Sequence, residues 1–285
     1  MEKYCKMHPP SVSEQLPAWQ IMLQESHKLA ICLIPESACS MFKFHILHAQ
    51  GLISDDILHH KGKKHPNVTQ LVHKTLLNKL DSSQWNDTLG GYFKFMMFRN
   101  PLERLFRAYR NKMSEAMKTQ VNSESERDIR DEFFLEDKRN IISQSSPCDY
   151  HKWKAANESY PVNITFSIFI DYWLNSKSLT LHTRFNPVVR LCRPCLVHYD
   201  YYGNFKSFEG DAKMLMERIG AVGDHPRMRV PALFDSLAEE YYGELSDNQK
   251  IKIVKKLAPE LELYYMVFPP EKDSHKEILG LNIDI

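Results

Sequence analysis

The feature that most constrains this chain is a pattern written twice: a short apolar run, a break of small or polar residues, then an apolar-periodic segment. AICLIPESACSMFKF, from Ala30 to Phe44, is the first instance, and GYFKFMMFRNPLERLFRAYR, from Gly91 to Arg110, is the second. Nearly continuous apolar runs such as LAICLI and GYFKFMMF suit strands covered on both faces. Strands that alternate with helices imply parallel pairing, because a parallel neighbour is reached by a crossover. The expectation is an α/β fold: a single domain over residues 28–285, with a mostly parallel central sheet flanked by helices. Residues 1–27 are mixed and Pro-bearing, and they read as an N-terminal arm.

Further along, SMFKFHILHAQG reads as a helix closed by Gly51, and VTQLVHKTLLNKL as a second helix. RNPLERLFRAYRNKMSEAM follows its strand directly, with Asn100 placed to cap and Pro101 at the first helical position. The stretch from about Val121 to Asp149 is charged and Ser-rich, which predicts an exposed helix and loop. ITFSIFIDYWLNS and DAKMLMERIG read as helices, PCLVHYDYYG as a strand and turn, and the last third as packing helices.

At 285 residues and 43% hydrophobic, the chain can bury a full core. Its 37 Lys and Arg against 36 Asp and Glu give no global field toward nucleic acid, so an anion site has to be local. The basic loop HHKGKKHPN, His59 to Asn67, reads either as a solvated loop or as a rim for an anionic polymer. No apolar stretch reaches the roughly 18 residues of a membrane span, and the first residues lack the apolar core of a signal peptide. Four N-x-[ST] sequons, at Asn67, Asn86, Asn157 and Asn163, favour a secretory lumen, with an N-terminal anchor absent from this chain.

Both strand-to-helix corners offer amide N–H groups and a positive dipole end to an anion. The second adds Arg99, Arg104, Arg107 and Arg110, although Arg104 and Arg110 could equally pair with carboxylates. Two anion sites on one sheet suggest a ligand with two phosphate groups. No G-x-x-x-x-G-K-[ST] sequence is present, which argues against an ordinary nucleotide triphosphatase.

On these residues the chain resembles the Golgi carbohydrate sulfotransferases that include the chondroitin and dermatan enzymes. PESACSMFK matches the family's donor loop at Pro35, Ala38, Cys39, Ser40 and Lys43. RNPLERLFRAYRNK matches its second motif at Arg99, Pro101, Glu103, Arg104, Leu105, Ala108, Tyr109 and Arg110. RFNPVVRLCRPCLVHYDYYGNF, followed by a DA…L…IG helix, resembles its third block. The resemblance covers roughly residues 28–265. It implies the donor PAPS (3′-phosphoadenylyl sulfate), no metal, a glycan or glycosaminoglycan acceptor and residence in the Golgi lumen. It also implies a donor site made by Pro35, Glu36, Ser37, Ala38, Cys39, Ser40 and Met41 around the 5′-phosphosulfate. Arg99, Asn100, Pro101, Leu102, Glu103, Arg104, Leu105, Phe106 and Arg107 would then lie around the 3′-phosphate.

Three departures bear on the chemistry. Glu36 stands where the family has the loop lysine, and a carboxylate there opposes charge developing on the leaving phosphate. Arg107 replaces a serine and can still hold a phosphate bidentately. Arg184 replaces a histidine and cannot accept a proton at neutral pH, so His182 is the nearby alternative as catalytic base, against a purely structural role. These departures allow a second reading, a catalytically degenerate relative that binds nucleotide or glycan without turnover.

The six cysteines include a CRPC pair, Cys192 and Cys195. A zinc site would need a second ligand pair, and a thioredoxin-like role would need the first strand-to-helix turn. A disulfide, within the pair or to other cysteines, is the preferred expectation. Cys39 reads as a small buried residue rather than a nucleophile.

Overall fold

The computed structural model describes residues 1–59, 66–112, 164–176, 183–220, 235–269 and 274–282, with a few isolated positions between 140 and 155. In chain order the elements are α1 (Glu2–Met7), β1 (Ile21–Gln24), β2 (Leu29–Cys32), α2 (Cys39–Ala49), α3 (Asp55–His59), α4 (Pro66–Lys74), α5 (Trp85–Gly90), β3 (Phe93–Phe98) and α6 (Pro101–Lys112). They continue with α7 (Phe166–Asn175), α8 (Val188–Cys192), α9 (Pro194–Val197), β4 (Tyr201–Asn204), α10 (Phe208–Arg218), α11 (Asp235–Gly243), α12 (Asp247–Val267) and α13 (Ser274–Leu279).

The chain divides into two compact units: residues 1–100, 187–232 and 262–270 form the first, and residues 101–186, 233–261 and 271–285 the second. The first holds a four-stranded sheet in the order β1-β2-β3-β4. β2 pairs parallel with β3, and β3 parallel with β4, whereas β1 is antiparallel to β2. This is the mostly parallel α/β sheet that the alternation of runs predicts. Met22, Leu29, Ile31, Phe95, Met97, Phe42, Ile46, Phe208 and Leu215 pack as one core over this sheet. Gly203 lets β4 close on β3, because a Cβ there would stand 3.0 Å from the side chains of Met97 and Phe95.

Three local readings change. The segment read as an arm supplies α1 and the fully buried strand β1. PCLV is not strand but the short helix α9, opened by Pro194 at its first position and by Arg193 in the left-handed region, so β4 begins only at Tyr201. VTQLVHKTLLNKL does not continue as one helix. The Thr75 hydroxyl donates to the Val72 carbonyl at 2.9 Å where α4 ends, and Leu76 then bridges to Met22.

The second unit is built around aromatic rings. Phe106 packs edge-on to Phe166 at 5.7 Å, and Tyr109 lies 5.4 Å from Phe169. The Tyr109 hydroxyl donates to the Ile164 carbonyl at 2.8 Å, and burial holds its pKa well above the usual tyrosine range. The Lys256 ammonium donates to the carbonyls of Trp173, Leu174 and Ser176 and so closes the carboxyl end of α7.

Candidate functional site

In the first unit, the parallel strands bring three chain segments to one edge of the sheet. Cys32 lies in register with Met96, and Phe98 with Asn204. The loop at Pro35 therefore leaves β2 beside Arg99 leaving β3, and Phe205 follows β4 on the other side. This is the carboxyl edge, where open α/β sheets hold ligands.

The loop from Pro35 to Ala38 turns the chain sharply into α2. Both Glu36 (φ 65°) and Ala38 (φ 60°) occupy the left-handed region that glycine normally takes. Such backbone is retained where the surrounding structure enforces it, and it groups at functional sites. Ala38 is the residue before the helix, and no side chain caps the first amides of α2. Nor does any acidic residue lie in the first turn. An 11-residue helix thus presents its positive end at the sheet edge with no acidic residue in its own first turn. Ser37 is buried, and its hydroxyl has no hydrogen-bond partner among the described residues. Pro35, Glu36, Ala38 and Cys39 are half-buried, Ser40 is exposed and Met41 is buried.

Arg99 and Asn100 are buried at the end of β3. The Arg99 guanidinium lies over the Phe205 ring, 3.4 Å from its centroid. Phe205 is in turn placed by Asp211, whose carboxylate accepts from the Tyr201 hydroxyl at 2.7 Å, the Asn204 amide at 2.7 Å and the Ser207 hydroxyl at 2.9 Å. The hydrogen bond to Asp211 raises the Tyr201 pKa to about 12. Neither Phe205 nor Asp211 is among the site residues that sequence reasoning selected. The Asp-Ala of the third block was the available signal for Asp211.

In the second unit, α6 buries Pro101, Leu102, Glu103, Arg104, Leu105 and Phe106, and leaves Arg107 half-buried. Arg104 donates from Nη1 to the Arg184 carbonyl at 3.1 Å and from Nη2 to the Asn186 carbonyl at 2.7 Å. Its Nε meets the buried Glu260 carboxylate at 3.3 Å. The Trp173 indole donates to the carbonyl between them, that of Phe185, at 3.1 Å. Three consecutive carbonyls, Arg184 to Asn186, are therefore held by two buried side chains. His182 lies outside the described residues, as do Asn157, Asn163 and the side chain of Asn67.

The cysteines pair across the fold: Cys5 with Cys195, and Cys32 with Cys192. The CRPC pair is thus not bridged to itself, and each of its members reaches another element. Cys39 is a free, half-buried thiol.

The sequence profile of the sulfotransferase family matches residues 19–266. The chain belongs to that family. It is 29% identical over 203 residues to carbohydrate sulfotransferase 14 of Danio rerio, covering 70% of this chain and 48% of the relative. The human carbohydrate sulfotransferase 14 is 28% identical over 215 residues, covering 74% and 49%. Carbohydrate sulfotransferase 11 of Danio rerio is 25% identical over 246 residues, covering 82% and 63%. The chain spans about half the length of the first two relatives. No solved structure matches it.

Proposed function

We propose that this family member moves sulfonate from PAPS to a hydroxyl of a glycan or proteoglycan chain. The observation that carries the proposal is the uncapped start of α2, turned by two left-handed residues beside the buried Arg99. Amide N–H groups there suit the 5′-phosphosulfate, and the Arg99 guanidinium suits the 3′-phosphate. Arg107, on α6 of the second unit, is assigned to the same phosphate from the motif alone. His182 is proposed as the base for the acceptor hydroxyl, also from the sequence. Sulfuryl transfer places charge on the leaving phosphate oxygen, and the amides of the loop are the groups positioned to take it up.

Residence in the Golgi lumen is part of the same proposal. The disulfides and the exposed sequon at Asn86 support it. Glu36 favours a second reading, in which the chain binds the nucleotide without turnover.

Calorimetric titration with PAP, the desulfonated donor, joined to radiolabelled transfer from PAPS to desulfated glycosaminoglycans, tests both readings. PAP binding with transfer supports the enzyme, and PAP binding without transfer supports the degenerate relative. Absence of PAP binding removes both.

A further inference from the structure

The CRPC segment is a motif that donor binding leaves without a role, and its two cysteines end in very different surroundings. Cys195 pairs with Cys5 of α1, and both are half-buried. Cys192 pairs with Cys32, and both are buried, at 0% and 3% exposure. A reductant in solution therefore has access to the outer bridge, while the inner one is shielded. The cysteine that the local chain brings toward the inner bridge is Cys195, three residues from Cys192 across Arg193 and Pro194. Cysteines at this C-x-x-C spacing are close enough in sequence to bridge each other, as they do in dithiol–disulfide motifs.

We propose that the four cysteines form a thiol–disulfide exchange site whose co-substrate is a dithiol. The dithiol is oxidised to its disulfide, and its two electrons reduce Cys5–Cys195 to two thiols. Cys195 then loses its proton to solvent, and its thiolate attacks Sγ of Cys192. A Cys192–Cys195 bond forms, the Cys32–Cys192 bond breaks, and the Cys32 thiolate leaves and takes up a proton. This second step is redox-neutral.

The arm that carries Cys5 has further anchors in the same unit. Tyr4 is buried, His8 meets Glu262 at 2.6 Å, and Glu14 pairs with Arg193 at 2.5 Å. Opening the outer bridge thus leaves Cys5 near its partner, and oxidation can restore the starting pairing. The product of exchange is a free thiol on Cys32, the last residue of β2 and three residues before Pro35. Resting on the donor-loop reading, that change unties the strand that ends in the loop, and PAP binding weakens.

The test is disulfide mapping of the full chain after brief dithiothreitol treatment in native buffer, alkylation and proteolysis. A Cys192–Cys195 cross-linked peptide together with alkylated Cys5 and Cys32 is expected. Cys5→Ser should yield the Cys192–Cys195 bridge without any reductant. Cys195→Ser should keep Cys32–Cys192 closed under the same treatment. Persistence of Cys32–Cys192 beside a free Cys195 in the Cys5→Ser chain overturns the proposal. So does equal labelling of Cys32 in the native and Cys195→Ser chains, which would mean direct attack on the inner bridge. Should either variant fail to fold, the native chain's map decides, because alkylation of Cys192 and Cys195 together with Cys32 would show reduction without exchange. Mapping does not depend on PAP, so loss of the donor assignment would leave this result standing.

Discussion

Arg99 lies with its guanidinium 3.4 Å from the centre of the Phe205 ring, a contact between the ends of two parallel strands. The ring faces one side of a planar cation that is otherwise buried at the sheet edge, and so fixes the direction in which its donors point. A guanidinium held in this way loses little freedom when it grips a phosphate.

From this contact follows the first prediction. Arg99→Ala should weaken PAP by at least tenfold, about 1.4 kcal/mol. Phe205→Leu removes the ring but retains apolar bulk, and it should weaken PAP by about fivefold, close to the 1 kcal/mol of a partly buried cation–π contact. Calorimetric titration of both variants measures the effect. Unchanged affinity in Arg99→Ala would remove Arg99 from the site.

A second prediction concerns the turn beneath that ring. The Tyr201 pKa is raised to about 12 by its hydrogen bond to Asp211, so the folded state holds the phenolic proton more tightly than the unfolded chain, where the value is near 10. The bond's contribution is therefore complete below pH 10 and declines as pH rises from 10 to 12. Urea melts of the native chain and Tyr201→Phe should differ by a constant amount up to pH 10 and converge above it. A difference that grows with pH would contradict the assignment.

How much of this was legible in the sequence depends on how local each feature is. The strand, loop and helix at Pro35 and at Arg99 are contiguous in the chain, and the spacing of their apolar residues reveals them. β1 is four residues, IMLQ, held as a strand by pairing with β2, and four residues carry too little periodicity to announce it. The partner of Cys195 lies 190 residues away, and its choice is set by the packing of α1. Phe205 was missed for a similar reason, since it meets Arg99 only after β4 aligns with β3. Arg104 shows the converse. Its motif was read, but the motif does not say that the guanidinium reaches the Arg184 and Asn186 carbonyls some 80 residues on.

Arg104 gives the third prediction. Arg104→Met takes the guanidinium away from the buried Glu260 carboxylate and from the Arg184 and Asn186 carbonyls, and should destabilise the chain by about 3–5 kcal/mol. Adding Glu260→Met removes the buried charge that Arg104 pairs with, so the double variant should be more stable than the sum of the two single effects implies. Denaturant midpoints of the four proteins complete the cycle. Arg104 would instead belong to donor binding if Arg104→Lys weakened PAP while leaving stability unchanged.

Glu36 carries the last prediction, and its backbone makes the experiment clean. The residue sits at φ 65°, a region where any side chain bound through Cβ is strained. Lys and Gln share that strain with Glu, so Glu36→Lys and Glu36→Gln change charge while leaving the backbone term in place. A unit charge about 4 Å from an anion is worth about 4 kcal/mol at an effective dielectric near 20, less whatever solvent reaches the half-buried loop. Both variants should therefore tighten PAPS, with Lys ahead of Gln. Lys should also raise turnover more than Gln, because only a cation offsets charge developing on the leaving phosphate oxygen. Radiolabelled transfer from PAPS to desulfated glycosaminoglycans, run on all three chains, reads both effects. Strong native transfer that falls in the Lys variant would give Glu36 a positive role in the reaction. Silence in all three, with PAP still bound, would instead mark the chain as a relative that has kept the donor site and lost the chemistry.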